Sequence, residues 1–267
     1  MTTTPPEYEV YALRYATMQK RTRRDNFIIA DPHDGPMPMD YFVWVIRGKE
    51  RTFLVDTGFN AHAAELRQRT QLRCPITALS LLGIAPGDIA DVILTHLHYD
   101  HAGNVDLLPK ARIHLQEAEL QYTVSRYMTF ESLRHAYAAK DVTHIVEGLY
   151  SDRVAFYNGD AELAPGVQLV HVGGHTNGLQ SVRVHTARGW IILASDASHY
   201  YDNIGHESPF PVVYHVGVML EGYRKLLSLV ETPAKLVPGH DPLVCTRYPR
   251  YGDADSGILA LHLDPIA

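Results

Sequence analysis

Two kinds of hydrophobic pattern alternate along the chain and predict strands followed by helices. Residues 8–13 alternate apolar and polar side chains, and 41–48 and 51–58 are β-rich runs joined by a polar turn. We therefore expect three strands, the last two forming a hairpin. Residues 30–40, rich in Pro and Gly, are expected to form the loop that precedes this hairpin.

The same patterns continue to the end of the chain. Further strands are predicted at 92–94, 111–116, 167–174, 179–186, 189–196 and 234–240. Helical patterns occupy 60–70 (with Asn60 as N-cap), 76–84, 116–128, 125–150 and 216–230. In the last of these, one apolar face is expected to comprise Val216, Leu220, Tyr223, Leu227 and Val230.

This order of elements predicts a layered α/β sandwich. Both halves of the chain carry several strands followed by helices, and neither a Gly/Ser linker nor a sequence repeat separates them. We therefore expect one domain over residues 1–267. Periodicity alone does not give the order of the strands.

Composition and charge exclude several classes of function. The net charge is −6 and 46% of the 267 residues are hydrophobic, so neither nucleic acid nor a membrane is an expected partner. The basic run at 19–24 is interpreted as a solvated loop. Cys74 and Cys245 are far apart and are expected to be reduced thiols. The N-terminal residues lack the features of a secretory signal, so we expect a cytoplasmic protein.

Four of the predicted strands are followed by histidine or aspartate. The first runs into Thr-His-Leu-His-Tyr-Asp-His, residues 95–101, and the others end at His175, Asp196 and His240. Open α/β sheets place their ligand crevice at the carboxyl ends of the strands, so we expect these side chains to converge. Neutral imidazole and carboxylate are the usual ligands of Zn²⁺ and similar ions.

The number of such residues suits two metal ions better than one. Taken singly, His175 or His240 would more often be a structural or surface residue, and Asp196 could be only a helix cap. Chance explains the His-x-His-x-Asp-His cluster poorly, and that cluster strengthens the case for the other three. Two ions that share a bridging group would use all seven residues. The seven are His96, His98, Asp100, His101, His175, Asp196 and His240.

This ligand pattern resembles that of the metallo-β-lactamase superfamily. The resemblance covers nearly the whole chain, from Asp56-Thr57-Gly58, which is similar to the D-T-G turn of the family, to His240. It implies a four-layer αββα sandwich with two divalent ions in the cleft, Zn²⁺ first, with Mn²⁺, Fe²⁺ or Co²⁺ as alternatives. It also implies the ligand sets: His96, His98 and His175 for one ion, Asp100, His101 and His240 for the other, and Asp196 as the bridge.

Within the superfamily, the sequence is most similar in pattern to the N-acyl-homoserine-lactone lactonases. The similarity rests on Leu-Thr-His-Leu-His-Tyr-Asp-His-Ala-Gly-Asn at 94–104 and Ser-Asp-Ala-Ser at 195–198. No cysteine occupies a motif position, unlike in the commonest zinc β-lactamases. Little chain follows His240, where glyoxalase II adds a helical domain, and the insertion and basic surface of the tRNA-processing nucleases are not seen.

One position departs from the lactonase pattern. The lactonases place a tyrosine three residues after the bridging aspartate, whereas this chain has His199, followed by Tyr200 and Tyr201. Either His199 or one of these tyrosines is expected to donate a hydrogen bond to the developing oxyanion. Leu179 stands where related sequences often have His, which we expect to affect packing more than ligation.

The resulting hypothesis is a lactonase in which a hydroxide shared by the two ions attacks the ring carbonyl. Asp100 would pass the proton to the leaving oxygen. The substrate is expected to be a small hydrophobic or aromatic lactone, and the protein a monomer or homodimer. Candidate pocket residues, each more often a core residue when taken alone, are Met37, Met39, Tyr127, Met128, Phe130, Phe210 and Tyr214.

Three other functions remain open from the sequence. The first is hydrolysis of a cyclic amide, thioester or phosphoester on the same scaffold. The second is a non-catalytic metal-binding or regulatory protein, against which seven ligands are more than a closed structural site uses. The third is an oxygen-dependent mono-iron enzyme.

Overall fold

Two β-sheets form the centre of the protein. The computed structural model describes residues 4–29, 33–253 and 255–266. Its strands are β1 (Glu9–Met18), β2 (Met39–Arg47), β3 (Thr52–Val55), β4 (Thr70–Gln71), β5 (Asp91–Ile93), β6 (Arg112–Gln116), β7 (Val154–Tyr157), β8 (Ala161–Ala164), β9 (Val167–His171), β10 (Gln180–Thr186), β11 (Gly189–Ser195), β12 (Leu236–Pro238), β13 (Arg250–Tyr251) and β14 (Ile258–Ala260).

Helices lie on the outer faces of the sheets. The α-helices are α1 (Ala61–Leu66), α2 (Tyr99–Ala102), α3 (Glu117–Thr123), α4 (Glu131–Arg134), α5 (Ala139–Tyr150), α6 (Tyr201–Gly205), α7 (Val216–Ser228) and α8 (Val244–Arg247). Short 3₁₀ helices span Arg23–Asp25, Thr77–Leu82, Pro86–Asp88, Val105–Leu107, Arg126–Thr129 and Pro233–Lys235. Within the described part of the chain, no helix has both the length and the apolar character needed to cross a membrane.

The first sheet mixes antiparallel and parallel pairs. Its order is β13-β14-β1-β2-β3-β5-β6-β7, and β4 also pairs with β1. The expected hairpin is confirmed, since β2 and β3 pair antiparallel with Trp44 opposite Val55. From β3 through β5 and β6 to β7 the pairing is parallel, so these strands deliver their carboxyl ends to one edge.

The second sheet has the order β12-β11-β10-β9-β8. Its pairs are antiparallel except for the parallel pair β11 and β12. That exception matters for function, because it places the carboxyl ends of β11 and β12 next to each other.

Hydrophobic side chains fill three layers between these elements. Along β2, Trp44 and Ile46 pack between the two sheets, whereas Val43 and Val45 pack on the opposite face, against the outer helices. Burial on both faces explains why β2 reads as a continuous apolar run. A third cluster packs the outer face of the second sheet against α7. The four-layer αββα sandwich expected from the sequence is thus the observed fold.

The predicted apolar face of α7 is only partly correct. The buried residues are Met219, Gly222, Tyr223 and Leu226, while Val216 is 36% exposed. The reason is the close approach of the helix at Gly222, where an added Cβ would lie 2.4 Å from a side-chain carbon of Val172. This contact rotates the stripe that faces the sheet by about one residue from the predicted one.

The helices predicted between 116 and 150 are too long. The Ser125 hydroxyl donates to the carbonyl oxygen of Tyr122 and accepts from the backbone N–H of Tyr127. It therefore ends one helical segment and begins the next, because a serine side chain competes with the helix for backbone partners. Strands β7 and β8 were not predicted, since β7 is only partly buried and both strands are short.

Candidate metal centre

The four strand ends singled out by the sequence meet in one cleft. β5 leads into residues 95–101, the turn after β9 carries His175, and β11 and β12 end beside Asp196 and His240. All seven predicted ligands fall in groups of side chains whose possible ligand atoms lie within 4.8 Å of one another. The structure therefore brings together residues that are up to 144 positions apart, from His96 to His240.

Three imidazoles form the core of the first group. His98 Nδ1 lies 3.0 Å from His96 Nε2 and 2.9 Å from His175 Nε2. The ligand atoms of a tetrahedral Zn²⁺, with bonds of about 2.0–2.1 Å, stand roughly 3.3 Å apart. The three nitrogens thus have close to the spacing that one ion requires, and all three rings are buried.

Asp196 joins the first group to the second. Its Oδ2 lies 3.3 Å from His175 Nε2, and its Oδ1 lies 3.3 Å from His101 Nε2 and 3.0 Å from His240 Nε2. Asp100 completes the second group, with oxygens 3.9 Å from the Nε2 atoms of the same two histidines. One carboxylate oxygen facing each group is the arrangement of a bridging ligand.

The outer hydrogen bonds of the histidines test whether metal ions fit. His175 Nδ1 donates to the carbonyl oxygen of Val212 at 2.6 Å, and His240 Nδ1 donates to that of Asp40 at 2.8 Å. A carbonyl oxygen only accepts, so each Nδ1 carries the hydrogen and each Nε2 carries a lone pair. Both lone pairs lie near the carboxylate of Asp196, an arrangement of acceptors that a bound cation would stabilise. The side chains present therefore fit divalent metal ions.

Unpartnered buried atoms support the same conclusion. Among the described residues, His101 Nε2 and Asp196 Oδ1 are buried and have no hydrogen-bond partner. Buried polar atoms without a partner are rare in proteins, because each carries the full penalty of desolvation. These two atoms face each other across the second group, where a cation would bind both.

The Asp56-Thr57-Gly58 turn supports the second group. The Oδ2 of Asp56 accepts from His101 Nδ1 at 2.8 Å and from the Thr95 hydroxyl at 2.9 Å. Its φ is +61°, and Ser195, directly before Asp196, has a φ of +48°. Left-handed backbone at a non-glycine residue is strained, and such strain concentrates at functional sites.

Electrostatics in the cleft favours bound positive charge. Burial alone would lower the pKa of His101, but the carboxylates of Asp196, Asp56 and Asp100 raise it well above its usual value. Burial, together with the neighbouring imidazole of His101, holds the pKa of His96 well below its usual value. The cleft therefore combines neutral imidazoles, which can ligate a metal, with carboxylates that attract a cation.

His199 lies beside the bridging carboxylate. Its Nε2 is 2.9 Å from Asp196 Oδ2, and its ring stacks on Phe210 with centroids 3.3 Å apart and an interplanar angle of 6°. The stack fixes the plane of the imidazole, so its Nε2 is directed at the cleft. Together with Asp196 and His240, His199 forms a third group of possible ligating atoms.

Of the two tyrosines that follow, Tyr200 has a hydrogen-bond partner for its hydroxyl, whereas the Tyr201 hydroxyl is buried without one among the described residues. The Tyr200 hydroxyl donates to the carbonyl oxygen of Pro38 at 3.2 Å, and the ring of Tyr201 lies 4.0 Å from the guanidinium carbon of Arg247 in α8. The hydrogen of the Tyr200 hydroxyl is therefore already engaged by the backbone. This contact weighs against the expected alternative in which Tyr200 donates to an oxyanion.

Three of the predicted pocket residues lie in hydrophobic clusters or against the site. Met39 is buried in the cluster between the first sheet and its helices, and Met37 packs against that cluster. Phe210 is fully buried and covers His199. Leu179 is also fully buried, in agreement with the packing role expected of it.

Of the other four, Tyr214 and Tyr127 lie at the mouth of the cleft. Tyr214 borders a narrow cleft that also reaches His98 and His175, and Tyr127 contacts its ring. Met128 lines a neighbouring cavity of about 630 Å³. Phe130 is 57% exposed.

Three residues that were not predicted from the sequence lie beside the candidate metal ligands. The ring of Tyr137 lies 4.4 Å from that of His98, and the ring of Tyr122 lies 4.8 Å from that of Tyr214. Glu119 is fully buried between two ligand-bearing loops. The tyrosine-rich composition of this segment was a signal, but composition does not show which rings face the site.

Comparison with known proteins decides the family. Residues 37–240 match the profile of the metallo-beta-lactamase superfamily. The chain belongs to this superfamily. The match ends on His240 and contains all seven candidate ligands of this metallo-beta-lactamase fold.

Characterised members of the superfamily that resemble the chain include N-acyl homoserine lactonases. The chain is 30% identical over 234 residues to one from Bacillus sp, an alignment that covers 80% of this chain and 88% of the relative. It is 31% identical over 222 residues to N-acyl homoserine lactonase AiiB from Agrobacterium fabrum, covering 74% of this chain and 78% of the relative.

Two crystal structures share the fold of this chain. A quorum-quenching N-acyl homoserine lactone lactonase superposes with a TM-score of 0.75 at 23% identity, covering 91% of this chain and 95% of the other. An N-acyl homoserine lactone hydrolase with N-hexanoyl-L-homoserine bound at its catalytic metal centre gives 0.73 at 23% identity, with coverage of 90% and 95%.

Proposed function

We propose that this protein is a metal-dependent lactonase that hydrolyses the ring ester of an N-acyl-homoserine lactone or another small hydrophobic lactone. The observation that carries the proposal is the two-sided contact of Asp196, whose oxygens face one histidine group each. The similarity to N-acyl homoserine lactonases from Bacillus sp and Agrobacterium fabrum supports the choice of substrate. Hydrolysis of an N-acyl-homoserine lactone would give the protein a quorum-quenching role.

The ligand sets follow the two groups in the cleft. We assign Zn²⁺ first, because His and Asp donors at this spacing suit it, although Mn²⁺, Fe²⁺ and Co²⁺ accept the same donors. Two divalent ions bound here would supply Lewis acidity, which lowers the pKa of water towards neutrality and polarises an ester carbonyl. The proposed ligands are His96, His98 and His175 for one ion, Asp100, His101 and His240 for the other, and Asp196 for both.

His199 is proposed to donate to the carbonyl oxygen as negative charge develops on it. Its Nε2 lies 2.9 Å from Asp196 Oδ2, so the N–H is at the edge of the shared carboxylate, and Phe210 holds the ring in place. With Asp196 Oδ2 bound to a metal ion, the N–H of His199 would be released from this oxygen to the substrate, and the ring would not have to reorient.

Asp100 is proposed to carry the proton that ring opening must relocate. Addition of water to the carbonyl carbon breaks its bond to the ring oxygen, and one proton passes from the water to that oxygen. Asp100 is less deeply buried than Asp196, with 12% of its side chain exposed against 4%. A carboxylate that solvent partly reaches can accept the proton and pass it to the ring oxygen.

The aromatic mouth of the cleft favours an apolar substituent on the lactone. Tyr122, Tyr137 and Tyr214 border the cleft beside His98 and His175. Aromatic rings bury large apolar areas and leave a hydroxyl for water or for a polar group of the substrate. An acyl chain or aromatic ring suits this surface.

The proposal is tested by pairing metal analysis with a substrate panel. Wild-type protein should hold two ions, and it should hydrolyse N-acyl-homoserine lactones or other apolar lactones faster than a thioester or a phosphodiester. Asp196→Ala should lose both metal and turnover. Asp202→Ala, which removes an exposed carboxylate from α6, is the matched control and should retain both.

Two outcomes would overturn the proposal. Full lactone hydrolysis by metal-free Asp196→Ala protein would show that this site does not catalyse the reaction. Faster cleavage of the thioester or the phosphodiester than of any lactone would show that the substrate belongs to that class, although the metal site is the one proposed.

A further inference from the structure

A carboxylate outside the ligand set holds together the two loops that carry the first histidine group. Glu119 lies in α3 and is fully buried. Its Oε1 accepts the backbone N–H of Leu97 at 3.0 Å and the hydroxyl of Tyr137 at 3.2 Å. Leu97 stands between His96 and His98, so this oxygen fixes the backbone of the loop that carries these two histidines.

The other oxygen of the same carboxylate holds the second loop. Oε2 accepts the hydroxyl of Thr176 at 2.6 Å and the backbone N–H of Gly178 at 3.0 Å. Thr176 directly follows His175, the third histidine of the first group. One side chain therefore spans the two loops, with one oxygen on each.

The loop after His175 is shaped to reach this carboxylate. A Cβ added at Gly178 would lie 2.2 Å from the backbone nitrogen of Glu119, far inside van der Waals contact. Only glycine allows the loop to approach α3 so closely. The contact between α3 and the loop therefore depends on the close approach of the two backbones at Gly178 and Glu119.

The second group is held by different contacts. His101 donates to Asp56, and His240 donates to the carbonyl oxygen of Asp40. Asp196 follows the strained Ser195 at the end of β11. Glu119 thus bonds the backbone between His96 and His98 and the residue after His175, all of the first group, whereas Asp56 and Asp40 orient histidines of the other.

We propose that Glu119 is a positioning residue that sets the separation between His96 and His98 on one loop and His175 on the other, and so controls the affinity of the first metal position selectively. The proposal rests on the metal-dependent function proposed above. Burying a carboxylate on four neutral donors is expensive for the fold. Partners behind the ligands that fix their orientation typically change metal affinity 10–100-fold when they are removed.

The decisive variant is Glu119→Gln. It keeps the size of the side chain but turns one acceptor oxygen into an NH₂ group, which cannot accept the N–H and O–H groups of one loop. Zn²⁺ affinities measured by competition with a chromophoric chelator should show one ion weakened about 10–100-fold. The other ion should keep the wild-type affinity.

Asp91→Asn is the matched control. It makes the same change in another buried carboxylate, which lies at the start of β5 and bonds His114 and Arg51. This variant should leave both affinities as in the wild type, even where its melting temperature falls. The Co²⁺-substituted spectrum identifies the weakened ion, since the bands lost in Glu119→Gln should match those lost in His98→Ala and differ from those lost in His240→Ala.

Thr176→Val and Thr176→Ser provide a test that does not depend on the stability of Glu119→Gln. The valine removes one hydrogen bond to Oε2 at nearly equal volume and should weaken the same ion by a smaller factor, and the serine should restore it. The proposal is overturned if both Glu119→Gln and Thr176→Val keep both affinities, or if both ions weaken equally. If the wild-type protein binds fewer than two ions, the proposed two-metal function itself is wrong.

Discussion

The position of the His199 ring in the cleft depends on a residue from another segment of the chain. Its Nε2 is 2.9 Å from the bridging carboxylate, and Phe210, eleven positions later, holds its ring. The sequence indicated His199 as a candidate through its spacing from Asp196. The stacking partner was foreseen only as a pocket residue, because a contact between a loop and the segment before α7 depends on tertiary packing.

Removing the donor of His199 should slow catalysis without emptying the site. Loss of one oxyanion donor lowers kcat by about 10²–10³-fold in comparable sites, so we expect His199→Phe to reduce kcat on a lactone by about that factor. His199→Tyr, which returns an O–H donor, should recover part of it. Steady-state kinetics is measured together with the metal content of each variant.

The metal content separates the two possible roles of His199. If His199→Phe keeps two ions, the loss of rate belongs to the donor. If it binds fewer ions, His199 is a ligand, in line with its grouping with Asp196 and His240, and the oxyanion role is refuted. An unchanged kcat refutes both roles.

At the scale of single elements, the start of α5 carries a carboxylate in an unfavourable environment. Asp141 is buried in the first turn of the helix. Burial, followed by the charge of Asp106, raises its pKa to about 6. A carboxyl group whose pKa is raised on folding favours the folded state when protonated, and this stabilisation is lost as the pH rises through the folded-state pKa.

Asp141→Asn should therefore stabilise the protein in a pH-dependent way. At pH 7.5 the variant should be more stable than the wild type by about 1–2 kcal/mol, since one pKa unit corresponds to roughly 1.4 kcal/mol. Near pH 4, close to the ordinary aspartate pKa of 3.8 and well below the folded-state value, most of the difference should disappear. Urea unfolding of the two proteins at pH 4, 5.5 and 7.5 measures it.

Asp106→Asn is the second arm of this experiment. It removes the charge that opposes ionisation of Asp141, so the further gain from Asp141→Asn in that background should be smaller. A difference between wild type and Asp141→Asn that is the same at all three pH values would contradict the linkage.

The elements themselves were predictable to different degrees. Strands with continuous or alternating apolar residues, such as β2 and β11, lie where the pattern placed them. The segment from 125 to 150 does not follow its pattern, because Ser125 diverts the backbone and α4 and α5 form separately. The face of α7 was displaced because Gly222 approaches Val172, directly after β9, a contact that the sequence of the helix does not show.

At the scale of the whole molecule, the cleft lies where the two sheets meet, and the sheets also contact each other there through Thr95 and Ser195 and through Gln116 and Gln180. Each sheet supplies ligands from its own strands, so bound cations would link them. A ligand bound only by the folded state stabilises it by about 4 kcal/mol when its concentration is 1,000 times the dissociation constant. The stability of the protein should therefore depend on its metal content.

Chelation should lower the melting temperature substantially. In a protein of this size, 1 kcal/mol corresponds to roughly 2–4 °C, so removing two tightly bound ions should lower Tm by at least about 10 °C. Differential scanning calorimetry before and after treatment with a chelator measures the change, and re-addition of Zn²⁺ should reverse it. An Asp196→Ala protein should show little further decrease, whereas a wild-type Tm indifferent to the chelator would contradict the linkage between the sheets.

The architecture was predictable as a class, and the topology was not. The sandwich followed from the ligand motifs and the resemblance that they carry, since His96 and His240 can meet only if distant strands share an edge. The order of strands within each sheet depends on which apolar faces pack together, as Trp44 and Val43 do on opposite sides of β2. A local pattern of hydrophobic residues does not contain that information.

The pairing of β1 with β14 sets an order for biosynthesis. Tyr11 lies opposite Ala260 and Leu13 opposite Ile258, so β1 completes its ladder with a strand that is translated more than 240 residues later. Until then, the backbone groups along that side of the nascent β1 remain open to other chains. Contacts of such large sequence separation slow folding. We expect dependence on chaperones during expression to fall once residues 258–260 have left the ribosome.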